Sequence, residues 1–299
     1  MAPDWQIICN ESSEVYIRHL ADAQIISGWG ESIKSVLPHT GKELKWIHSW
    51  AAGVDTDPLE LLKERNIILT NSSGVHGFPI SEAVFAMMLA LTRKLHIYIR
   101  RQFNKEWKHE GGYPEMHGKT VGILGVGNIG LEVAKLAKAF GMTVLGYRRS
   151  GLPADWVDTM FEYGEEGLNE LLKRSDYVVN TLPLTMETYK VMGREQFDIM
   201  KPSAFYINIG RGGTTDEEAL INALRDGKIA GAGLDVFETE PLPSDSPLWE
   251  MENVIITPHV SGRTEHYAQR VMEIFMSNFR DYLSGKLPQK NRVDLDRGY

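Results

Sequence analysis

The sequence has little cysteine, no long apolar run and no excess of positive charge, and each absence excludes a class of protein. Its 299 residues contain one cysteine, Cys9, so no intrachain disulfide can form, which is typical of a protein in a reducing compartment. The longest strictly apolar run, Ala83 to Leu91, is far shorter than the about 20 residues that cross a bilayer. Acidic residues outnumber basic ones by 40 to 32, which argues against a nucleic-acid-binding protein.

The composition is otherwise that of a globular protein. Apolar residues make up 42% and charged residues 24% of the chain, and at roughly 150 residues per domain the length indicates two domains. The N-terminal "MAPDWQ" carries an acid and no basic stretch, so we expect no signal peptide and a cytoplasmic location. Scattered histidines and a single cysteine predict no metal site.

Short β-type runs alternate with helical patterns in two series, which predicts α/β domains with parallel sheets. The strands predicted in the first series are 5–9, 24–29, 45–50 and 67–71. A helix is predicted over 81–101, and the Gly- and His-containing segment 108–119 then separates the two series. The strands predicted in the second series are 120–124, 143–147, 177–182, 204–209, 229–235 and 253–257, with a last helix over about 262–283.

The second series opens with a glycine-rich turn, "GILGVGNIG", between a predicted strand and a predicted helix. Gly125, Gly127 and Gly130 have the G-x-G-x-x-G spacing of dinucleotide-binding turns, in which the backbone approaches the pyrophosphate at the helix N-terminus. Asn128 and Ile129 lie within the same turn. A glycine-rich turn without a ligand is the alternative, but the strand before it and the helix after it favour a dinucleotide.

The residues at the end of the next strand bear on which dinucleotide binds. NAD sites place an acid about 20 residues beyond the glycines, to bind the ribose hydroxyls. Here "GYRRSG" places Arg148, Arg149 and Ser150 at that point. Guanidinium groups can pair with the 2′-phosphate of NADP, and the serine can add a hydrogen bond. We therefore expect NADP, with NAD possible if the arginines are only solvated surface residues.

Three further polar segments follow predicted strands. Arg211 follows 204–209, Asp235 and Glu240 follow 229–234, and His259 follows 253–257. Ligands of open parallel sheets bind beyond the carboxyl ends of the strands, so these side chains are candidates for one site.

Six motifs follow one another along the chain: "SWAAGVD", "GVGNIG", "NTLPLT", "INIGRG", "GLDVFETEPLP" and "TPHVSG". In this order they make the whole chain resemble the D-isomer-specific 2-hydroxyacid dehydrogenase family. The resemblance is to its glyoxylate/hydroxypyruvate reductase and 2-ketoacid reductase branches. It implies that Arg211, Glu240 and His259 are the catalytic residues. It further implies that Asp235 contacts the nicotinamide carboxamide and that Thr181, Pro183 and Gly262 border the cofactor.

The chemistry of 2-ketoacid reduction suits these residue types. Imidazole titrates near neutral pH, so His259 can supply the proton, and Glu240 can orient the imidazole ring by a hydrogen bond. Arg211 can pair with the substrate carboxylate and polarise the carbonyl. By resemblance, the backbone N–H groups of Ala52, Gly53 and Val54 also bind that carboxylate, although a plain turn after a strand would read the same.

The complete prediction is an NADP-dependent reductase with two doubly wound parallel-sheet domains. A Rossmann dinucleotide-binding domain is expected over 97–284, and a flavodoxin-like substrate domain over 1–96 with 285–299. The family resemblance implies a homodimer and a small 2-ketoacid substrate. The acidic charge balance and the lack of a long apolar run predict no nucleic-acid or membrane partner. Two alternatives remain open: an NAD-preferring D-2-hydroxyacid dehydrogenase, and a nucleotide-sensing binding protein like the family's corepressor members.

Overall fold

The structure, a computed structural model, describes residues 5–8, 19–28, 37, 40–54 and 58–296. It divides into two compact units. The first comprises Met1–His76 and Thr264–Tyr299, and the second comprises Gly77–Arg263. The first unit thus takes residues from both ends of the chain, and its assignment as the substrate domain stays a prediction.

The first unit contains a small parallel sheet. Strands β1 (Ile25–Ser27), β2 (Trp46–His48) and β3 (Ile68–Thr70) pair in the order β1-β2-β3, and helix α1 (Leu59–Glu64) connects β2 to β3. All three residues of β2 are buried, as expected for the central strand of a sheet covered on both faces. Three paired strands agree with the predicted parallel architecture, and the flavodoxin-like assignment stays a prediction.

The second unit contains a seven-stranded parallel sheet with the order β10-β9-β8-β7-β4-β5-β6. Its strands are β4 (Thr120–Leu124), β5 (Thr143–Arg148), β6 (Thr159–Glu162), β7 (Tyr177–Asn180), β8 (Phe205–Asn208), β9 (Gly231–Leu234) and β10 (Val254–Ile256). The chain moves outward from β4 to β6, then returns to add β7 on the other side of β4. This reversal creates a topological switch point between β4 and β7, where open α/β sheets bind ligands. The predicted Rossmann architecture is confirmed.

Helices cover both faces of this sheet. They are α2 (Gly77–Thr92), α4 (Asn128–Ala139), α5 (Glu165–Arg174), α6 (Arg194–Ile199) and α7 (Glu217–Arg225). Helix α3 (Leu95–Asn104), which follows α2, buries none of its residues. Helices α2 and α4 contribute to one apolar core, and α5, α6 and α7 contribute to the other. Helix α5 shows why such segments fold: three leucines at helical spacing are buried, with acids in the first turn and bases in the last. Within the described ranges, no helix is both long and apolar enough to cross a membrane.

The unit boundaries lie about 20 residues nearer the N-terminus than the predicted 97 and 284. Helix α2 belongs to the second unit because it is apolar on most sides and packs on α4, β8 and β9. The last helix, α8 (Tyr267–Leu283), belongs to the first unit because its Phe275 ring stacks on Trp46 of β2, with centroids 5.1 Å apart. Packing partners of this kind are not visible in hydrophobic periodicity.

Three local predictions differ from the structure. The helix expected over 81–101 is two helices, α2 and α3, because Lys94 between them adopts a left-handed conformation with φ of 56°. The strand expected over 5–9 is irregular at its described residues 5–8, where Trp5 packs edge-on against Phe279 of α8. Strand β6, which the sequence analysis missed, has only half-buried or exposed residues and lies at the sheet edge.

The buried histidine of β2 makes the stability of the first unit depend on pH. His48 is fully buried, its Nδ1 lies 2.8 Å from the Thr70 hydroxyl, and its Nε2 has no hydrogen-bond partner in the described part of the chain. Burial disfavours the imidazolium and lowers the pKa of His48 from 6.5 to about 4.

Between pH 6.5 and about 4 the unfolded chain therefore binds a proton that the folded chain does not. The stabilisation is complete above this window and is lost as pH falls through it, by roughly 1.4 kcal/mol per pH unit from this group. We expect urea unfolding followed by circular dichroism to show this loss, and the variant His48→Leu to show a shallower dependence. Parallel pH profiles for the two proteins would contradict the assignment.

Candidate active site

The glycine-rich turn follows β4 directly and has the geometry of a phosphate site. Gly125 has φ of +93°, a conformation that favours glycine, and helix α4 begins three residues later at Asn128. A Cβ on Gly130 would lie 2.5 Å from the Gly125 carbonyl oxygen, so the turn requires glycine there. A Cβ on Gly127 would meet no atom within 4 Å, so the backbone has open space at the N-terminus of α4. This arrangement fits the pyrophosphate of a dinucleotide.

The loop after β7 supports this turn. The Thr181 hydroxyl lies within hydrogen-bond distance of the carbonyl oxygens of Leu124 and Gly125, at 3.1 and 2.5 Å. Pro183 follows in the same loop, and its carbonyl accepts a hydrogen bond from the Thr188 hydroxyl at 2.6 Å. Thr181 therefore holds the turn in shape, a role that the sequence analysis did not foresee.

The predicted 2′-phosphate residues lie at the end of β5 and differ in environment. Arg148 is half-buried: its Nη2 donates to the Pro153 carbonyl at 3.0 Å, and its buried Nε has no partner in the described ranges. Arg149 is exposed and forms an ion pair with Glu187. Ser150 is also exposed, and its hydroxyl accepts from the backbone N–H of Leu152 at 3.4 Å. The arginines supply positive charge and donors here, which suits an anionic group.

A histidine–carboxylate pair lies beyond the ends of β9 and β10. Nδ1 of His259 is 2.7 Å from Oε2 of Glu240, and the other Glu240 oxygen accepts from the backbone N–H of Phe237 at 3.1 Å. A carboxylate accepts hydrogen bonds, so Nδ1 carries the hydrogen and Nε2 is left for proton exchange. Half of the His259 side chain is exposed, so the ring can reach a ligand.

Asp235, directly after β9, shapes the loop that carries His259. Its fully buried carboxylate accepts from the Thr257 hydroxyl at 2.5 Å and from the backbone N–H groups of Val260 and Ser261 at 2.9 and 3.0 Å. Its own carbonyl accepts from the backbone N–H of His259 at 2.9 Å. The expected carboxamide contact stays a prediction, but these bonds make Asp235 a positioning residue for His259.

Arg211 follows β8 on a turn that packs tightly on the Glu240 segment. A Cβ on Gly212 would lie 1.9 Å from the carbonyl carbon of Phe237, so only glycine allows these two backbones to approach. The Arg211 carbonyl accepts from the Thr214 hydroxyl at 2.7 Å, and its Nη1 donates to the Gly210 carbonyl at 2.9 Å. The structure thus brings the Arg211 turn against the segment that holds Glu240, and Glu240 in turn holds His259.

A buried polar network beneath these loops was missed by the sequence analysis. Asn180, the last residue of β7, donates to the Tyr206 hydroxyl at 2.9 Å and to the Thr214 hydroxyl at 2.8 Å. Asn208, the last residue of β8, donates to the Thr215 hydroxyl at 3.1 Å and accepts from the backbone N–H of Gly210 at 3.1 Å. The signal was present, since "VVN" and "YIN" both place an asparagine at the end of an apolar strand.

The structure also gives the local positions of the remaining predicted residues, whose roles stay predictions. Asn128 and Ile129 are the first two residues of α4, and half-buried Gly262 follows the His259 loop. In the first unit, the Ala52 carbonyl accepts from the Asn71 amide at 2.9 Å, Gly53 is exposed and Val54 is buried. Within the described ranges, no group of three or more His, Cys, Asp or Glu could hold a metal ion.

Comparison with known proteins identifies the family. Residues 85–261, more than half of the chain, match the model of the NAD binding domain of D-isomer specific 2-hydroxyacid dehydrogenases. The chain belongs to the D-isomer specific 2-hydroxyacid dehydrogenase family. This confirms the resemblance read from the sequence motifs and, with the Rossmann sheet, supports a nicotinamide-dependent oxidoreductase of small 2-hydroxy and 2-keto acids.

Individual relatives from this family align with most of the chain. The chain is 40% identical over 279 residues to a glyoxylate/hydroxypyruvate reductase B from Pectobacterium carotovorum, covering 90% of this chain and 85% of that protein. It is 36% identical to a D-3-phosphoglycerate dehydrogenase from Methanocaldococcus jannaschii, covering 90% of this chain but only 51% of that longer protein.

Two solved structures share the fold. A family member from Aeromonas salmonicida has a TM-score of 0.83 and 37% identity, with 96% and 90% of the two chains covered. An NADPH-dependent glyoxylate/hydroxypyruvate reductase from Sinorhizobium meliloti, in complex with NADP and sulfate, has a TM-score of 0.78 and 30% identity, with 94% and 89% covered.

The hydrogen bonds of Asp235 predict that changing this residue lowers kcat. Asp235→Asn replaces one acceptor oxygen by an amide donor, which would face a backbone N–H or the Thr257 hydroxyl and displace the His259 loop. We expect kcat for 2-ketoacid reduction to fall about 10- to 100-fold, as small misplacements of catalytic groups do. The exposed Asp245→Asn in a nearby loop is the matched control and should leave kcat unchanged. Equal kcat values for the two variants would remove the positioning role.

Proposed function

We propose that this protein is an NADP(H)-dependent reductase that converts a small 2-ketoacid to the D-2-hydroxy acid, with His259 as proton donor. The observation that carries the proposal is the His259–Glu240 pair at 2.7 Å, with the Arg211 turn packed against the same segment. The three residues follow three neighbouring parallel strands, β8, β9 and β10, and so lie at the same carboxyl-terminal end of the sheet.

Each side chain has a defined part in the reduction. The bound nicotinamide cofactor supplies the hydride to the carbonyl carbon of the substrate. His259, oriented through Nδ1 by Glu240, donates a proton from Nε2 to the carbonyl oxygen and takes it back in the reverse reaction. Glu240 accepts the hydrogen on Nδ1 and so holds the ring in one tautomer and one orientation while the proton at Nε2 is exchanged.

Substrate binding is assigned to two segments. Arg211 pairs with the substrate carboxylate and stabilises negative charge on the carbonyl oxygen, because its guanidinium offers several donors in one plane. The backbone of Ala52, Gly53 and Val54 is the second segment proposed to bind the carboxylate, as the resemblance implies. All small 2-ketoacids present these same two groups, so the segments explain the class of substrate rather than one member of it.

The proposed preference for NADP depends on the end of β5. Arg148 and Arg149 replace the acid that would bind the ribose hydroxyls of NAD, and Ser150 adds a polar group beside them. The Sinorhizobium meliloti relative, described as NADPH-dependent, was crystallised with NADP, which supports this preference. The cytoplasmic location expected from the N-terminal sequence stays a prediction.

The first test is the oxidation of NADPH and of NADH, followed by absorbance at neutral pH with a panel that includes glyoxylate, hydroxypyruvate and pyruvate. We expect turnover with a higher kcat/KM for NADPH. A higher kcat/KM for NADH would make the protein an NAD-preferring dehydrogenase. Cofactor binding without turnover on any 2-ketoacid would instead indicate a nucleotide-sensing protein.

The proton-donor role predicts a specific kinetic pattern. His259→Ala should lower kcat by at least about 100-fold, the lower end of the range for general acid catalysis, while the Kd for NADPH stays unchanged. His266→Ala, an exposed histidine paired with Glu265, is the matched control and should retain full kcat. Near-full activity of His259→Ala would disprove its assignment as proton donor.

The proposal includes a homodimer, because an exposed apolar face lies on helix α3. Leu95, Ile99 and Phe103 recur at four-residue spacing and are 52%, 46% and 81% exposed, and nearby Trp107 is 95% exposed. No residue of α3 is buried within the described chain. A contiguous apolar face on a surface helix marks an interface, and the family resemblance indicates a second copy of this chain.

The dimer is tested by sedimentation velocity. We expect the wild-type chain to sediment as a dimer and the double variant Phe103→Glu with Trp107→Glu to sediment as a monomer, because two carboxylates would be buried in the interface. Leu287→Glu, on an exposed leucine of the first unit, should leave the dimer intact. A monomeric wild-type protein would end this part of the proposal.

A further inference from the structure

An ion pair spans the end of strand β4, where the glycine-rich turn begins. Arg149 directly follows β5, and Glu187 lies in the loop that follows β7. Strands β5 and β7 are the two neighbours of β4 in the sheet. The pair therefore joins the two loops that flank the dinucleotide turn, and the guanidinium proposed to bind the 2′-phosphate already has a carboxylate partner.

The loop around Glu187 is firmly held. The Tyr163 hydroxyl donates to the Glu187 carbonyl at 2.9 Å, and the backbone N–H of Thr185 donates to the Thr188 hydroxyl at 2.8 Å. These bonds fix the backbone on both sides of Glu187 and keep its carboxylate near Arg149. The side chains of Arg149 and Glu187 are 58% and 54% exposed, so an incoming anion can reach both.

We propose that Glu187 is a specificity-determining residue that competes with the 2′-phosphate of NADP(H) for Arg149. Glu187 thereby weakens the protein's preference for NADP(H) over NAD(H). The proposal rests on the proposed use of NADP by this protein. A 2′-phosphate binding at Arg149 meets a nearby carboxylate of like charge, and it must replace that carboxylate as the partner of the guanidinium. The ribose hydroxyl of NADH carries no charge and meets neither obstacle.

Glu187 could also favour binding of the 2′-phosphate by holding Arg149 in place, but its competition for Arg149 outweighs this effect. An exposed ion pair between flexible side chains contributes little, so the carboxylate fixes the guanidinium only weakly. A phosphate carries up to two negative charges and three acceptor oxygens, and its repulsion by Glu187 persists as long as both are bound near Arg149. Removing the carboxylate charge therefore strengthens binding of the phosphorylated cofactor selectively.

The test measures binding without substrate, by isothermal titration calorimetry with NADPH, NADH, 2′-AMP and 5′-AMP. Glu187→Gln should tighten the Kd for NADPH and 2′-AMP about fivefold, the range of a single exposed charge interaction, and leave NADH and 5′-AMP within about twofold. Glu170→Gln, which removes the same charge from a pair with Lys173 on α5, is the matched control and should change none of the four.

A second variant shows that the effect acts through Arg149. In an Arg149→Ala background, Glu187→Gln should no longer distinguish NADPH from NADH. An unchanged or weaker Kd for NADPH in Glu187→Gln would overturn the proposal, as would weaker NADH binding, which would make Glu187 a ribose ligand. If the wild-type chain binds NADPH no more tightly than NADH and Arg149→Ala changes neither Kd, the NADP assignment itself fails. A clear NADPH preference with no effect of Glu187→Gln rejects only the role of Glu187.

Discussion

The buried carboxylate of Asp235 is the contact on which the candidate active site depends. A charge with no exposure is tolerated in a protein only when its oxygens are hydrogen-bonded, and here both are satisfied by the loop after β10. The bonds leave the loop little freedom and place His259 in a left-handed conformation, with φ of 52°. The position of His259, the proposed proton donor, thus follows from the hydrogen bonds that one buried carboxylate requires.

The same requirement operates under the neighbouring loops. Asn180 and Asn208 end two buried strands, and their amides are satisfied by the turns that carry Thr181 and Arg211. Tyr206 lies fully buried between them, and burial raises the pKa of its hydroxyl to about 12, so it remains a neutral hydrogen-bond partner. The loops that carry Thr181, Arg211 and His259 are therefore each anchored to the sheet by a buried polar side chain.

The end of β5, where the cofactor is proposed to bind, is built differently from the loops that carry Arg211 and His259. Around His259 and Arg211 the supporting groups are buried and their geometry is tightly specified, as the proposed proton transfer and carboxylate pairing require. At the end of β5 the charged groups are exposed, and Arg149 and Glu187 form an ion pair on the surface. Exposed charges set preferences between ligands more readily than they fix geometry, which is consistent with the proposed discrimination between NADP(H) and NAD(H) at this end of β5.

The sequence alone determined the α/β architecture, the family and the position of the glycine-rich turn, because strand patterns, glycine spacing and ordered motifs are local features. It also singled out Arg211, Glu240 and His259, whose catalytic roles stay a prediction. Tertiary structure decided the rest. Sequence could not place α2 in the second unit, since apolar periodicity shows that a helix is buried but not against what. It could not reveal the Glu187 contact or the double use of Asp235, because hydrogen-bond and ion-pair partners distant in sequence are chosen only when the strands assemble side by side.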